Sequence, residues 1–422
     1  MSMDVFNQRE SEVRGYIRAF PAVFTSAKGA RLIAEDGTEY IDLFAGAGTL
    51  NYGHNNDNFK QALLDYIEAD GIVHGLDMAT SAKRAFLEAF EQHILEPRGL
   101  DYRVQFTGPT GTNTVEAALK LARMVTGRSN VVAFTNAFHG VTLGSVAATA
   151  GAGFRQAAGV DLGNVTRMPY DGYLGADFDT LGLLEKMLDD ASGGIDKPAA
   201  VIVETVQGEG GINVASPEWL QHLRQLTSDR DILLIVDDIQ VGVGRTGQFF
   251  SWEAAGIVPD LVTLSKSIGG YGLPMALLLI RPDLDIWKPG QHSGTFRGLN
   301  LSFVAATRAI ETYWTNGDFE QGIAERSELL RAELEKLAAE HPKLALEVRG
   351  RGLVYGIESK ADRTWAGRMS KEAFKNGVII ECAGSDDQVL KFLPPLVIEL
   401  DELRAGLDVL ARAARTLAEV SS

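Results

Sequence analysis

Five short runs of the chain are apolar almost without interruption: VVAF from residue 131, AAVIV from 199, ILLIV from 232, LVTLS from 261 and ALLLI from 276. A strand with one wet face alternates apolar and polar residues, whereas a strand covered on both faces reads as a continuous apolar run of this length. Helical patterns alternate with these runs from about residue 80 onward. Together they predict an α/β unit with a mostly parallel central sheet and helices on both of its faces.

The two ends of the chain have another texture. RLIAEDGTEYIDL, from residue 31, is a pair of alternating runs joined by Asp36 and Gly37, residues that supply the positive φ angles of a tight turn, and it predicts a β-hairpin. Beyond about residue 305, charged amphipathic helices give way to LEVRGRGLVYGIES, VIIECAG and VLKFLPPLVI as strands. A last helix then places Leu403, Leu407, Leu410, Ala414 and Leu417 on one stripe. The expected organisation is an N-terminal segment over 1–55, a large α/β domain over 56–305 and a C-terminal α+β part over 306–422. The first and last of these would form a smaller second domain.

Composition narrows the partners. A chain of 422 residues, 45% of them hydrophobic, can build more than one core and enclose a deep site. Its formal charge of -16 argues against nucleic acid and against an anionic membrane surface, both of which need a basic footprint, and leaves small molecules. No apolar stretch is long enough to span a bilayer. The opening residues are interrupted by Asp4, Glu10 and Glu12 and lack the apolar core of a secretion signal. A single cysteine, Cys382, can form no internal disulfide and offers no metal cluster, so no metal site is expected. The cytoplasm is the expected location.

Three of the apolar runs end in an ionisable residue: Glu204 after AAVIV, Asp237 after ILLIV and Lys266 after LVTLS. In an open parallel sheet, chemistry collects at the carboxyl ends of the strands, so three such residues on neighbouring strands would form a site. In TGPTGTNTVEAALKLAR, Gly111 and Thr112 stand just before a run with Val115, Ala118, Leu119 and Ala122 at helical spacing. Backbone amides at such a helix start bind phosphate. Gly242, Gly244 and Gly247 do not have the spacing of a dinucleotide fingerprint, and no lysine completes a P-loop. A phosphate cradle, a carboxylate and a lysine amine suit pyridoxal 5'-phosphate, which carries an aldehyde that condenses with an amine, a pyridine nitrogen and a phosphate.

With those residues, the chain resembles the class III, fold type I pyridoxal-phosphate aminotransferases, from about residue 20 to about residue 400. The resemblance is carried by SEVRGYIRAFP, FAGAGTLNYGHNN, GLDMATSAKR, GPTGTNTVEAALKLAR, VETVQGEGGINVAS, LLIVDDIQVGVGRTG and HSGTFRGLN. It implies that Lys266 carries the cofactor and moves the proton, and that Asp237 keeps the pyridine nitrogen protonated. Gln240 would bind the ring hydroxyl, Gly111 and Thr112 the phosphate, and Phe138 would stack on the ring with His139 beside it. Thr295 would contact the phosphate of a neighbouring subunit, which implies a homo-oligomer, at least a dimer with shared sites. Glu209 matches a glutamate that pairs with an arginine able to receive a substrate carboxylate, but Lys391 stands at the arginine's position. Arg297 is the alternative clamp, and the arginine that some relatives carry after FHG is Val141 here.

The resemblance is closest to the branch that transfers an amino group from glutamate to L-aspartate 4-semialdehyde, giving L-2,4-diaminobutyrate and 2-oxoglutarate in ectoine biosynthesis. Acetylornithine or 4-aminobutyrate transamination, or an aminomutase, would use the same Lys266, Asp237 and cradle. A silent structural subunit is the alternative from outside enzymology.

Overall fold

A computed structural model describes residues 3–420; Met1, Ser2, Ser421 and Ser422, at the outer ends of the first and last expected segments, lie outside the described residues. Strands β1 (Phe24–Lys28), β2 (Arg31–Ala34) and β3 (Glu39–Asp42) form an antiparallel meander. Of the two turn residues between β2 and β3, Gly37 alone takes a positive φ, 85°. Asp36 instead accepts the Thr38 amide on its carboxylate at 3.0 Å. The hairpin forms as expected, with a longer turn closed by a hydrogen bond from the Ala34 amide to the Thr38 carbonyl at 2.9 Å.

The central sheet takes its strands from the middle of the chain: β4 (Arg103–Phe106), β5 (Val131–Phe134), β6 (Val165–Met168) and β7 (Ala200–Val203). After a short hairpin of β8 (Val206–Gln207) and β9 (Asn213–Val214) come β10 (Leu233–Asp237), β11 (Leu261–Leu264) and β12 (Leu277–Ile280). The order across the sheet is β4-β12-β11-β10-β7-β5-β6. The pairings from β11 through β6 are parallel, while β12 runs antiparallel to both β11 and β4. All five apolar runs are strands with every residue buried. β12 reads like its parallel neighbours because helices cover both faces whatever the direction of the strand. β4 and β6 are the edges; their partly exposed residues left no apolar run to find.

Helix Asn300–Tyr313 runs across the position between 305 and 306, because its buried stripe of Phe303, Ala306, Ala309 and Ile310 continues without a break. Beyond it lie β13 (Leu346–Arg351), β14 (Val354–Ser359), β15 (Val378–Ile379), β16 (Glu381–Ala383) and β17 (Val389–Phe392). VIIECAG is not one strand. β15 pairs in parallel with β3, joining the two ends of the chain in one sheet, whereas β16 pairs with β17 in the sheet β13-β14-β17-β16. β17 stops before Pro394 and Pro395, which have no amide to donate. In the last helix, Leu400–Val420, Leu403, Leu407, Leu410 and Ala414 are buried and Leu417 packs against the same core. No helix among the described residues is long and apolar enough to cross a membrane.

Candidate active site

β7, β10 and β11 lie side by side and parallel, so their carboxyl ends share one edge of the sheet. Glu204, Asp237 and Lys266 are thereby gathered on the wall of a single cavity of about 250 Å³. Gly111, Thr112, Phe138, His139, Glu209 and Gln240 line the same cavity. Lys391 lies behind Glu209, fully buried. Thr295 and Arg297 are elsewhere, in the turn Thr295–Gly298. The Thr295 carbonyl is bonded by His74 Nε2 at 2.8 Å, and the Arg297 guanidinium is paired with Asp77.

Lys266 leaves its strand with φ 52°, a left-handed conformation that costs a side-chain-bearing residue of order 1–3 kcal/mol. Its Nζ donates to the Ala47 carbonyl at 2.7 Å. Burial pushes the amine's pKa down, with the Glu209 carboxylate pulling partly back. The same Ala47 carbonyl accepts Gln240 Nε2 at 3.1 Å, and Ala45 and Ala47 also have left-handed backbones, with φ of 47° and 57°. Nothing in the apolar pattern pointed to Ala47. The small-residue stretch FAGAG, which permits so tight a turn, was its only trace.

Asp237 is 4% exposed and fully engaged. Its Oδ1 accepts from Thr263 Oγ1 at 3.0 Å and from the Ile239 amide at 3.3 Å, and its Oδ2 lies 2.6 Å from His139 Nδ1. Burial alone would push the His139 imidazole down, but the hydrogen bond and charge of Asp237 outweigh it and raise the pKa. His139 Nε2 has no partner, and neither does Gln240 Oε1, although both are buried. Two orphaned polar atoms on a cavity wall mark where a polar ligand belongs.

At the other end of the cavity, Gly111 and Thr112 open the helix Gly111–Thr126, whose first turn has no side-chain cap. The Asn113 amide turns back to the Thr110 carbonyl at 3.0 Å, which leaves the Gly111 and Thr112 amides for an anion, and the positive end of the helix dipole favours one. A Cβ on Gly111 would sit 3.0 Å from Ile239 Cδ1 and crowd a cavity residue two positions after Asp237. The Phe138 amide donates to Glu204 Oε2 at 3.0 Å while its ring forms cavity wall. The set fits pyridoxal 5'-phosphate: amides for a phosphate, a ring for a ring, a buried carboxylate for a pyridinium, unpartnered polar atoms for ring substituents, and an amine for an aldehyde.

Glu204 yields a pH test. Burial, reinforced by the charge of Asp237 although His139 opposes it, raises its carboxyl to about 8. Between the usual carboxyl value and about 8 the native state holds a proton that the unfolded chain has released. Stability of the cofactor-free protein must therefore fall with rising pH across that window, by up to about 1.4 kcal/mol per unit from this one group. Glu204→Gln is expected to flatten that slope in urea titrations at pH 5 to 8, and an unchanged slope would rule the assignment out.

Residues 14–414 match the family Aminotransferase class-III. The chain is 60% identical over 420 residues to the diaminobutyrate--2-oxoglutarate transaminase of Bordetella parapertussis, covering 99% of this chain and 97% of that one. It is 55% identical over 418 residues to the enzyme of the same name from Halomonas elongata, with 98% and 99% covered. Among solved structures it resembles the ornithine aminotransferase of Toxoplasma gondii, with a TM-score of 0.84 at 25% identity over 99% of this chain and 94% of that one. The chain belongs to the class III aminotransferases. It is a pyridoxal 5'-phosphate-dependent enzyme with the fold type I architecture, working on amino acids and oxo acids.

Proposed function

We propose that the protein transfers the amino group of glutamate to L-aspartate 4-semialdehyde, giving 2-oxoglutarate and L-2,4-diaminobutyrate, in the cytoplasm and as a step of ectoine biosynthesis. The observation that carries the reading is full-length identity of 60% to a diaminobutyrate--2-oxoglutarate transaminase, joined to a cavity that holds an amine, an acid and free helix amides together. When bound, pyridoxal 5'-phosphate supplies an aldehyde that takes the amino group and a ring that withdraws electrons from the reacting carbon.

The chain's own residues do the rest. Lys266 holds the cofactor and, with its pKa lowered by burial, serves as the base and acid that moves a proton at the substrate carbon. Asp237 keeps a positive charge on the pyridine nitrogen, since an adjacent carboxylate favours the protonated form. His139, donating to Asp237 from Nδ1, fixes that carboxylate in place. Gly111 and Thr112 would bind the phosphate, Phe138 would cover the ring, and Gln240 would hydrogen-bond the ring hydroxyl. Thr295, exposed in a single chain, would reach the phosphate of a second copy in a homodimer with shared sites. Lys391, reached past Glu209, would receive a substrate carboxylate; Arg297, already paired with Asp77, is the weaker candidate in one chain.

Glutamate and aspartate 4-semialdehyde should give diaminobutyrate with ping-pong kinetics, each product leaving before the second substrate binds. Product from N-acetylglutamate semialdehyde or succinate semialdehyde, with none from aspartate 4-semialdehyde, would move the enzyme to another branch of the class. Lys391→Met should raise the KM for glutamate by about ten- to a hundredfold, the value of a charged hydrogen bond, in initial-rate assays.

A further inference from the structure

Lys391 stands between two carboxylates. Glu381 on β16 is its register partner across the antiparallel ladder, so the two side chains leave the same face at adjacent positions. Nζ donates to Glu209 Oε1 at 2.8 Å and lies 2.9 Å from Glu381 Oε1. The second contact is an ion pair without hydrogen-bond alignment, and Glu381 Oε1 accepts no directed bond. Glu381 is buried and Lys391 fully so, while the Glu209 side chain is 30% exposed and is the only one of the three on the cavity wall.

The two substrates of the proposed reaction make opposite demands on this cluster. Glutamate reacts at a carbon that bears a carboxylate; diaminobutyrate reacts at its 4-carbon, which bears two hydrogens and no carboxylate. One half-reaction therefore needs a cation free beside the reacting carbon, and the other needs that cation covered. A simple ion pair serves this poorly, because removing Glu209 would strand a buried ammonium without a counter-ion. An ammonium has three donors and no planar fork, so it is held in place only by what surrounds it.

We infer that Glu381 is a positioning residue: as the second counter-ion of Lys391, it keeps the ammonium paired and in place when Glu209 moves aside, and so lets Lys391 receive a substrate carboxylate. The inference rests on the proposed reaction for its second substrate, but not for the carboxylate itself. Burial would lower the Lys391 pKa, yet Glu209 and Glu381 outweigh it and raise it, so the ammonium stays charged. Burial raises the Glu381 carboxyl's pKa against the pull of Lys391, and the Glu209 charge adds to that rise, so the carboxylate gains most as a partner of Lys391 when Glu209 is not beside it. Tyr16 OH lies 3.4 Å from Glu381 Oε2.

The test uses the cofactor-loaded enzyme and glutarate, a dicarboxylate with no amine to transfer. Calorimetric titration of Glu381→Gln should show glutarate binding weakened by about tenfold or more. That loss should exceed, by at least about fivefold, any rise in the KM for diaminobutyrate. In a Lys391→Met background the same substitution should change glutarate binding by less than about twofold, since it acts through the lysine. Equal losses in both arms, unchanged glutarate binding, or an additive loss in the double variant would each overturn the inference. Wild-type enzyme that ignores diaminobutyrate would overturn the proposed reaction instead, and the glutarate comparison would still decide the role of Glu381.

Discussion

Lys266→Ala should lower turnover by roughly 10⁴-fold or more, at or beyond the upper end of what a positioned acid–base group contributes, while leaving a folded protein. The argument begins with placement. The amine reaches the cavity from the end of β11 with its charged form disfavoured by burial, so it gives up its proton more readily than an exposed lysine does. The other amine of the site, Lys391, is held by two carboxylates that favour its charged form, and it cannot act as the base in its place. Structurally the substitution is mild: alanine meets the same left-handed backbone cost, and the Ala47 carbonyl keeps its hydrogen bond from Gln240. The melting temperature of the cofactor-free protein should move by only a few degrees, roughly what 1 kcal/mol does in a chain of this size. The absorbance of cofactor joined to lysine should be lost, although cofactor still binds through the helix amides and Asp237. Residual turnover within about tenfold of wild type would assign the proton to another group.

How much of this was legible in the sequence follows from how each residue is placed. The central strands were readable because burial on both faces leaves no polar position inside them, and Glu204, Asp237 and Lys266 were then conspicuous as the first charges after such runs. Their adjacency could not be read, since it depends on strand order, and the order β11-β10-β7 is set by crossovers that the local pattern does not encode. The reversed direction of β12 was hidden for the same reason. Glu381 was invisible because VIIECAG reads as one strand, whereas the chain changes sheets at Ile380 and only the second piece faces Lys391. Ala47 contributes a carbonyl, and no side-chain pattern announces a backbone acceptor. Thr295 came from family likeness alone and Arg297 only as the arginine beside it, and in one chain both lie off the cavity.

Asp237→Asn should slow turnover by roughly 10²–10³-fold, comparable to removing a preorganised charge-stabilising group, with the cofactor still bound. Asparagine keeps the shape and can keep the bonds from Thr263 and the Ile239 amide, so what is lost is the negative charge beside the ring nitrogen. A second effect separates this from a packing fault. In the wild type the His139 pKa is raised above its ordinary value, so the stability it contributes is fully present below the unfolded-state value, near 6.5, and is lost as pH rises through the higher folded value. Without the Asp237 charge, burial is left as the main influence on a fully buried imidazole and pushes its pKa down. The sign then reverses: the histidine stays neutral in the fold, and acid below about 6.5 destabilises the protein because the unfolded chain takes up a proton that the native state does not. Melting temperatures of the two cofactor-free proteins from pH 5 to pH 8 should therefore diverge most at the acid end. Parallel curves would mean that His139 does not depend on the Asp237 charge, and that the carboxylate acts on the cofactor alone.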